Sequence, residues 1–202
     1  MVNVTKGKNV TIETYDAESK EFTGDGTTVT FTMVGTVAET NVKYSRAYVD
    51  NEEKAITSIS GSVVTLTTAP ANGAVVIIYM PITKNGAFSV QQDVKADIKT
   101  KTEDIKELGN DAVTRDVVEK VGTLSLTFAQ ANNHTLMTKL AANSAADQYM
   151  VIAVKYKNTS PVSYRIYKEA KVADFGSGVS AGGIATETVT LNWKPPLDIR
   201  TS

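Results

Sequence analysis

Cysteine is absent from the 202-residue chain, so neither a disulfide framework nor a thiolate metal site is possible. Histidine occurs once, at His134. A catalytic triad or an imidazole-based zinc site would hang on that single side chain. It sits in the polar stretch Gln130-Ala-Asn-Asn-His-Thr135, where an ordinary surface histidine is expected. Neither sign of charge dominates: the net charge of −1 excludes the broad positive field that phosphate binding needs, so no nucleic-acid partner is expected. No apolar run approaches the about 20 residues needed to span a bilayer. The start, Met1-Val-Asn-Val-Thr-Lys-Gly-Lys8, lacks the basic region and apolar stretch of a secretory signal. Synthesis and assembly in a cytoplasm without membrane insertion are therefore expected.

What is present is ordinary globular material, 42% hydrophobic and 21% charged, enough to bury a core. From Phe22 to Met80 the chain reads as short strands punctuated by turns. Val29, Phe31 and Met33 alternate with threonines, which predicts a half-buried strand. Val42, Tyr44, Tyr48 and Val49 form a second run, and Asp50-Asn-Glu-Glu53 has hairpin-turn composition. Ser60-Gly61-Ser62 separates Ala55–Ile59 from Val63–Thr67, and Pro70-Ala-Asn-Gly73 leads into Ala74-Val-Val-Ile-Ile-Tyr-Met80, the longest apolar run and the length of a buried strand. Four or five strands so spaced predict an antiparallel sandwich over residues 21–88, after an arm or first strand at 1–20.

Between Ser89 and Val121 lysine, aspartate and glutamate replace the threonines. Val94, Ile98, Ile105, Leu108 and Ala112 fit heptad a and d positions, with Lys101 in one of them. The expectation is a helical connector over 89–121, interrupted at Gly109-Asn110 by a cap. Its apolar stripe either self-associates as a trimeric coiled coil, which makes those five residues the candidate oligomer interface, or folds back as a helical hairpin. After Gly122 the β signature returns for a C-terminal module over 122–202. Leu124, Leu126 and Phe128 alternate, Tyr149–Tyr156 reads as a central strand, Val162–Tyr167 as its partner, and Ile184–Trp193 as the last strand. Residues 131–148 also fit a short helix through Leu136, Leu140 and Ala141. Two prolines in Lys194–Ser202 predict an extended arm. The fold class is thus mainly β: two small antiparallel sandwich-like modules joined by a helical segment.

Three segments, Phe22-Thr-Gly-Asp-Gly-Thr-Thr-Val-Thr-Phe31, Tyr48-Val-Asp50 and Thr67-Thr-Ala-Pro-Ala-Asn-Gly-Ala-Val-Val76, together resemble a β-module of bacteriophage head-fibre and tail-fibre proteins. The glycine usual after the central aspartate is Asn51 here, and the aromatic usual before Ala-Pro is Thr68. The resemblance implies a place in a virion as an attachment or spacer module, often trimeric, with no catalytic residues. The implied partners are further copies of the chain and the major capsid or tail proteins of the same particle.

Other constellations have plain explanations. Asp174-Phe-Gly-Ser-Gly-Val-Ser-Ala-Gly-Gly183 contains Gly-x-Gly-x-x-Ala, but the βαβ unit that a dinucleotide site needs has no room after it, so a flexible loop is expected. Asp50, Glu52 and Glu53 lack calcium-loop spacing. Trp193, Tyr164 and Tyr167 are the candidate glycan contacts against a default of core packing. No cofactor and no catalytic chemistry are expected. The sequence points to a capsid-bound head fibre, decoration protein or short tail-fibre component. A receptor- or glycan-binding module and a tail or neck ring or tube subunit are the alternatives.

Overall fold

The structure is a computed structural model that describes residues 3–6, 10–90, 93–106, 113–129, 134–156, 162–179 and 185–201. Among these residues the chain runs through β1 (Asn3–Lys6), β2 (Val10–Thr23), β3 (Thr30–Thr32), β4 (Arg46–Val49), β5 (Glu52–Lys54), β6 (Ile56–Ser60), β7 (Val63–Leu66), β8 (Val75–Val90), β9 (Asp93–Lys106) and β10 (Val113–Ala129). One helix, α1 (His134–Ala145), follows, then β11 (Met150–Tyr156), β12 (Ser163–Val179), β13 (Ala185–Trp193) and β14 (Asp198–Thr201). One sheet has the order β1-β9-β10-β13-β12-β11-β2-β8-β4-β5, with β14 on β12; a second has the order β3-β7-β6. The mainly β, antiparallel expectation holds.

The alternation read from Val29 to Met33 is visible in burial: Phe31 and Met33 are inside, while Thr30 and Thr32 are exposed. These two residues meet Ile59, Val64 and Leu66 of the small sheet and Val76, Ile78 and Met80 of β8, forming a sandwich core. The β4–β5 hairpin turns on Asp50 and Asn51 at φ 50° and 69°, the left-handed pair of a two-residue type I′ turn. Asn tolerates that conformation better than most residues, which is why it can stand where glycine is usual. The three motif segments meet here. Gly24 and Gly26 donate to the carbonyls of Ala74 and Pro70, and Asp50 accepts from the Val75 amide.

A second core gathers Ile12, Val94, Leu124, Leu126, Phe128, Met150, Ile152, Val189 and Leu191. Val94 on β9 and Ile12 on β2 stand far apart in strand order yet share this core, so the sheet curls on itself. Helix α1 contributes Leu136 and Leu140, one turn apart and fully buried, each contributing about 1.5–3 kcal/mol of burial. The helix stops in a Schellman motif: Gln148 donates to the Asn143 carbonyl and Asp147, at φ 49°, to that of Ser144. Strand β2 pairs with β11 on one side and β8 on the other, so strands from both halves of the chain lie in one sheet.

Two expectations are corrected. The described part of the 89–121 segment is not helical: β9 and β10 pair with each other from Val94↔Leu126 to Lys106↔Val113. The physical reason lies in a mixed period. Val94, Ala96 and Ile98 alternate with Lys95, Asp97 and Lys99, and positions four apart satisfy a strand's repeat of two as well as a helical stripe. Strand partners on both sides of β9 then decide it. Gly109-Asn110 lies outside the described residues. The tail is not a free arm either, because Asp198–Thr201 returns as β14 against Ser163–Ile166 of β12.

Candidate functional site

The five residues of the expected oligomer stripe are dispersed. Val94 is buried in the curled-sheet core at 2% exposure and Ile98 is exposed at 50%. Ile105 lies on β9, with its side chain outside those described, and Leu108 and Ala112 lie outside the described residues. Of the candidate glycan contacts, Trp193 and Tyr167 stack edge to face at 5.0 Å, and Tyr164 sits in a third cluster with Tyr15, Tyr44 and Ile166. All three rings are buried. His134 opens α1, and its side chain lies outside those described. Asp174–Val179, expected as a loop, is strand paired with Ala185–Thr190, and 180–183 lie outside the described residues. Glu53 is exposed on the hairpin, as expected of a solvated turn, and its carboxylate also meets Arg46 at 3.1 Å. Among the described residues no group of three or more side chains is placed to hold a metal ion. No helix of the described residues is long and apolar enough to cross a membrane.

The topology leaves open edges. Strand β9 has β1 beside it only from Asp93 to Ala96, and β10 has β13 beside it only from Gly122 to Ala129. Residues 97–106 and 113–121 therefore continue as a two-stranded ribbon with no described strand on either outer edge. At about 3.3 Å per residue the nine positions of 113–121 extend roughly 30 Å. An isolated two-stranded ribbon is marginal in water, because half its backbone donors and acceptors have no partner in the protein. The far half of β12 is open too. From Lys171 onward it pairs with β13 and no longer with β11, and Phe175 stands 40% exposed there.

A buried ion cluster ties the two halves together. The Arg46 side chain, wholly buried, donates from Nη1 to Glu169 Oε1 (3.1 Å) and to the Lys194 carbonyl (2.9 Å), and from Nη2 to the Pro196 carbonyl (3.0 Å). Prolines supply no N–H, so the tail presents carbonyls, and one guanidinium serves two of them at once. Lys168 donates to the Ser45 carbonyl at 3.1 Å and pairs with Asp198 on β14 at 2.5 Å. Burial alone would lower the Arg46 pKa, but Tyr48, Glu53 and Glu169 outweigh it and hold the guanidinium above its ordinary value. Burial, followed by the neighbouring charge of Arg46, pulls Lys168 below its own. Burial and the hydrogen bond to Glu169 raise Tyr48 above the usual phenol range.

None of this cluster stood out in the sequence, because its members come from β4, β5, β12 and the tail. The one local signal was Arg46 between apolar and aromatic residues of a strand.

No protein-family model matches the chain, and no curated protein matches it in sequence. Among solved structures it is similar to a chain of the anti-feeding prophage baseplate seen by cryo-electron microscopy, at 11% identity over 77% of this chain and 90% of that one, with a TM-score of 0.39. It is also similar to a chain of the sheath–tube complex of an extracellular contractile injection system in its extended state, at 10% identity over 82% and 93%, TM-score 0.37. A chain of the anti-feeding prophage tube-terminating cap gives 12% identity over 84% and 96%, TM-score 0.36. Likenesses at this level carry no argument about what the chain does.

Proposed function

We propose that the chain is a non-catalytic structural subunit of a phage-type particle and that copies assemble by continuing their sheets into one another, as ring or tube subunits do. The observation that carries this reading is the ribbon of residues 97–106 and 113–121, whose outer edges have no described strand partner. Strand addition from a neighbour would satisfy that backbone without requiring a large apolar face. Charged residues along it, among them Lys99, Lys101, Glu103, Asp104 and Lys106, discourage indiscriminate pairing and favour a partner of matching register. The placement in a phage-type particle, with its capsid or tail proteins as partners, rests on the three-segment resemblance between Phe22 and Val76.

A head-fibre or decoration role draws on the same resemblance, but a trimer through a helical stripe has no helix to rest on in β9 and β10. The ring or tube form is therefore preferred. The test is excision of residues 101–119 with Thr100 joined to Lys120 through Asn-Gly, a loop suited to that antiparallel pair. Sedimentation and electron microscopy should show the full chain as closed or stacked oligomers and the shortened one as a monomer with unchanged circular dichroism. A full chain that stays monomeric at high concentration, or a shortened one that assembles equally well, would overturn the reading.

A further inference from the structure

Beside the ion cluster lie two adjoining hollows, which the assembly ribbon touches at Val121. One, of about 310 Å3, is lined by Tyr79, Glu169, Asn192 and Trp193 among others. The other, of about 430 Å3, is lined by Glu18, Ser19 and Gln148 among others. Tyr149 and Lys171 line both, so this pair stands at the boundary between them, with the Lys171 ammonium 4.2 Å from the ring centre.

Glu169 is the unusual residue here. It sits in a β-bulge at φ 50°, left-handed backbone that a glutamate adopts only at a cost. Its side chain is 5% exposed, and its Oε1 is taken by Arg46 and Tyr48. The other oxygen, Oε2, has the Lys194 ammonium at 3.9 Å, beyond hydrogen-bond reach. A carboxylate oxygen without a close hydrogen-bond donor, on a residue that lines a hollow, is free to accept from whatever fills that hollow. Water or a ligand hydroxyl can supply that donor.

The remaining lining narrows the ligand class. Three carboxylates (Glu169, Glu18 and Asp147) and amide or ammonium donors (Asn192, Lys171, Lys194) are interspersed beside two tyrosine rings, with Asp147 paired to Lys171 and Glu18 accepting from the Val34 and Gly35 amides. An apolar ligand would strand these polar groups, and a polyanion would face three carboxylates. A sugar ring carries hydroxyls that donate and accept at once and C–H faces that pack on aromatic rings. We propose that the two hollows form an oligosaccharide-binding groove. A neutral hexopyranose lies against Glu169 and Asn192, and the next unit lies beyond Tyr149 and Lys171. The groove meets the assembly ribbon at Val121, and it uses different side chains from the buried Tyr164 and Tyr167.

The chain's single tryptophan, Trp193, lines the first hollow and supplies the readout. The full chain is screened on an immobilised array of neutral hexose, N-acetylhexosamine and uronic-acid oligosaccharides, and hits are titrated against Trp193 emission. Neutral hexose oligomers of two or more units should bind with a saturable emission change. Asn192→Ala, at an exposed position on β13, should weaken binding by about tenfold and Tyr149→Ala by at least as much, the loss expected for one or two polar contacts. Asn192→Ala keeps the test valid should Tyr149→Ala fail to fold. Silence of every sugar class, binding confined to uronic acids, or an affinity untouched by Asn192→Ala would each overturn the proposal.

Discussion

Replacing Gly122 by alanine puts a methyl group where the Trp193 indole already lies. Gly122 and Trp193 face each other across β10 and β13, and a β-carbon built on Gly122 falls 2.0 Å from Trp193 Cε2, 2.4 Å from Nε1 and 2.5 Å from Cδ2. Ordinary contact begins at 3.4 Å, so the ring or the strand must retreat by 3.4 − 2.0 = 1.4 Å. Neither is free to do so. The indole is 3% exposed and packed edge-on against Tyr167, and the strand is held in register from Gly122 to Ala129. Overpacking of this kind costs about 1–3 kcal/mol. Glycine to alanine in a strand otherwise gains about 0.5–1 kcal/mol, and the middle of the two ranges leaves a net loss of about 1.3 kcal/mol. With a urea dependence of about 2 kcal/mol per M, the unfolding midpoint should fall by roughly 0.6 M. Trp193 emission follows the transition directly. In a Trp193→Leu background, followed by circular dichroism, the same methyl should cost much less. A Gly122→Ala midpoint equal to or above that of the parent would refute the reasoning.

Two further outcomes are expected. Arg46→Met leaves Glu169 buried without its cation and the tail carbonyls without their donor, and should lower stability by about 3–5 kcal/mol. Trypsin should then cut faster after Arg200 in β14, and a variant as stable and as resistant as the parent would remove the cluster's role as a fastening. Asp16 gives a pH signature: burial pushes its pKa up, but hydrogen bonds from Lys139, Asn85 and Asn143 prevail and hold it below the ordinary 3.8. Its contribution is therefore complete above 3.8 and lost as pH falls through the lower folded value. Urea midpoints of the parent should decline across that interval more steeply than those of Asp16→Asn, and parallel declines would contradict the assignment.

The N-terminal sandwich was legible because its signals are local. Alternation at Phe31 and Met33, the turn at Asp50-Asn51 and the run from Val75 to Met80 each depend on neighbours in sequence. Strands β9 and β10 were misread because charged residues at alternate places imitate a solvated helix face, and only their partners across the sheet separate the two periods. The ion cluster and the hollows were illegible for another reason. Arg46 and Glu169 are 123 positions apart and acquire meaning only when β4 and β12 are brought together. Trp193, Tyr164 and Tyr167 could be recognised as aromatic, but their burial depends on packing that spacing does not disclose.

The pairing of β2 with β11 bears on how the polypeptide is made. Tyr15 leaves the ribosome long before Val151, its register partner, has been translated. Throughout that interval the early strand can gain β8 on one side while its other side waits, a ready template for the same strand on a neighbouring nascent chain. Crowded polysomes should therefore favour insoluble product. Expression at low temperature, or with a holdase that shields strands, should recover yield without any change to the sequence.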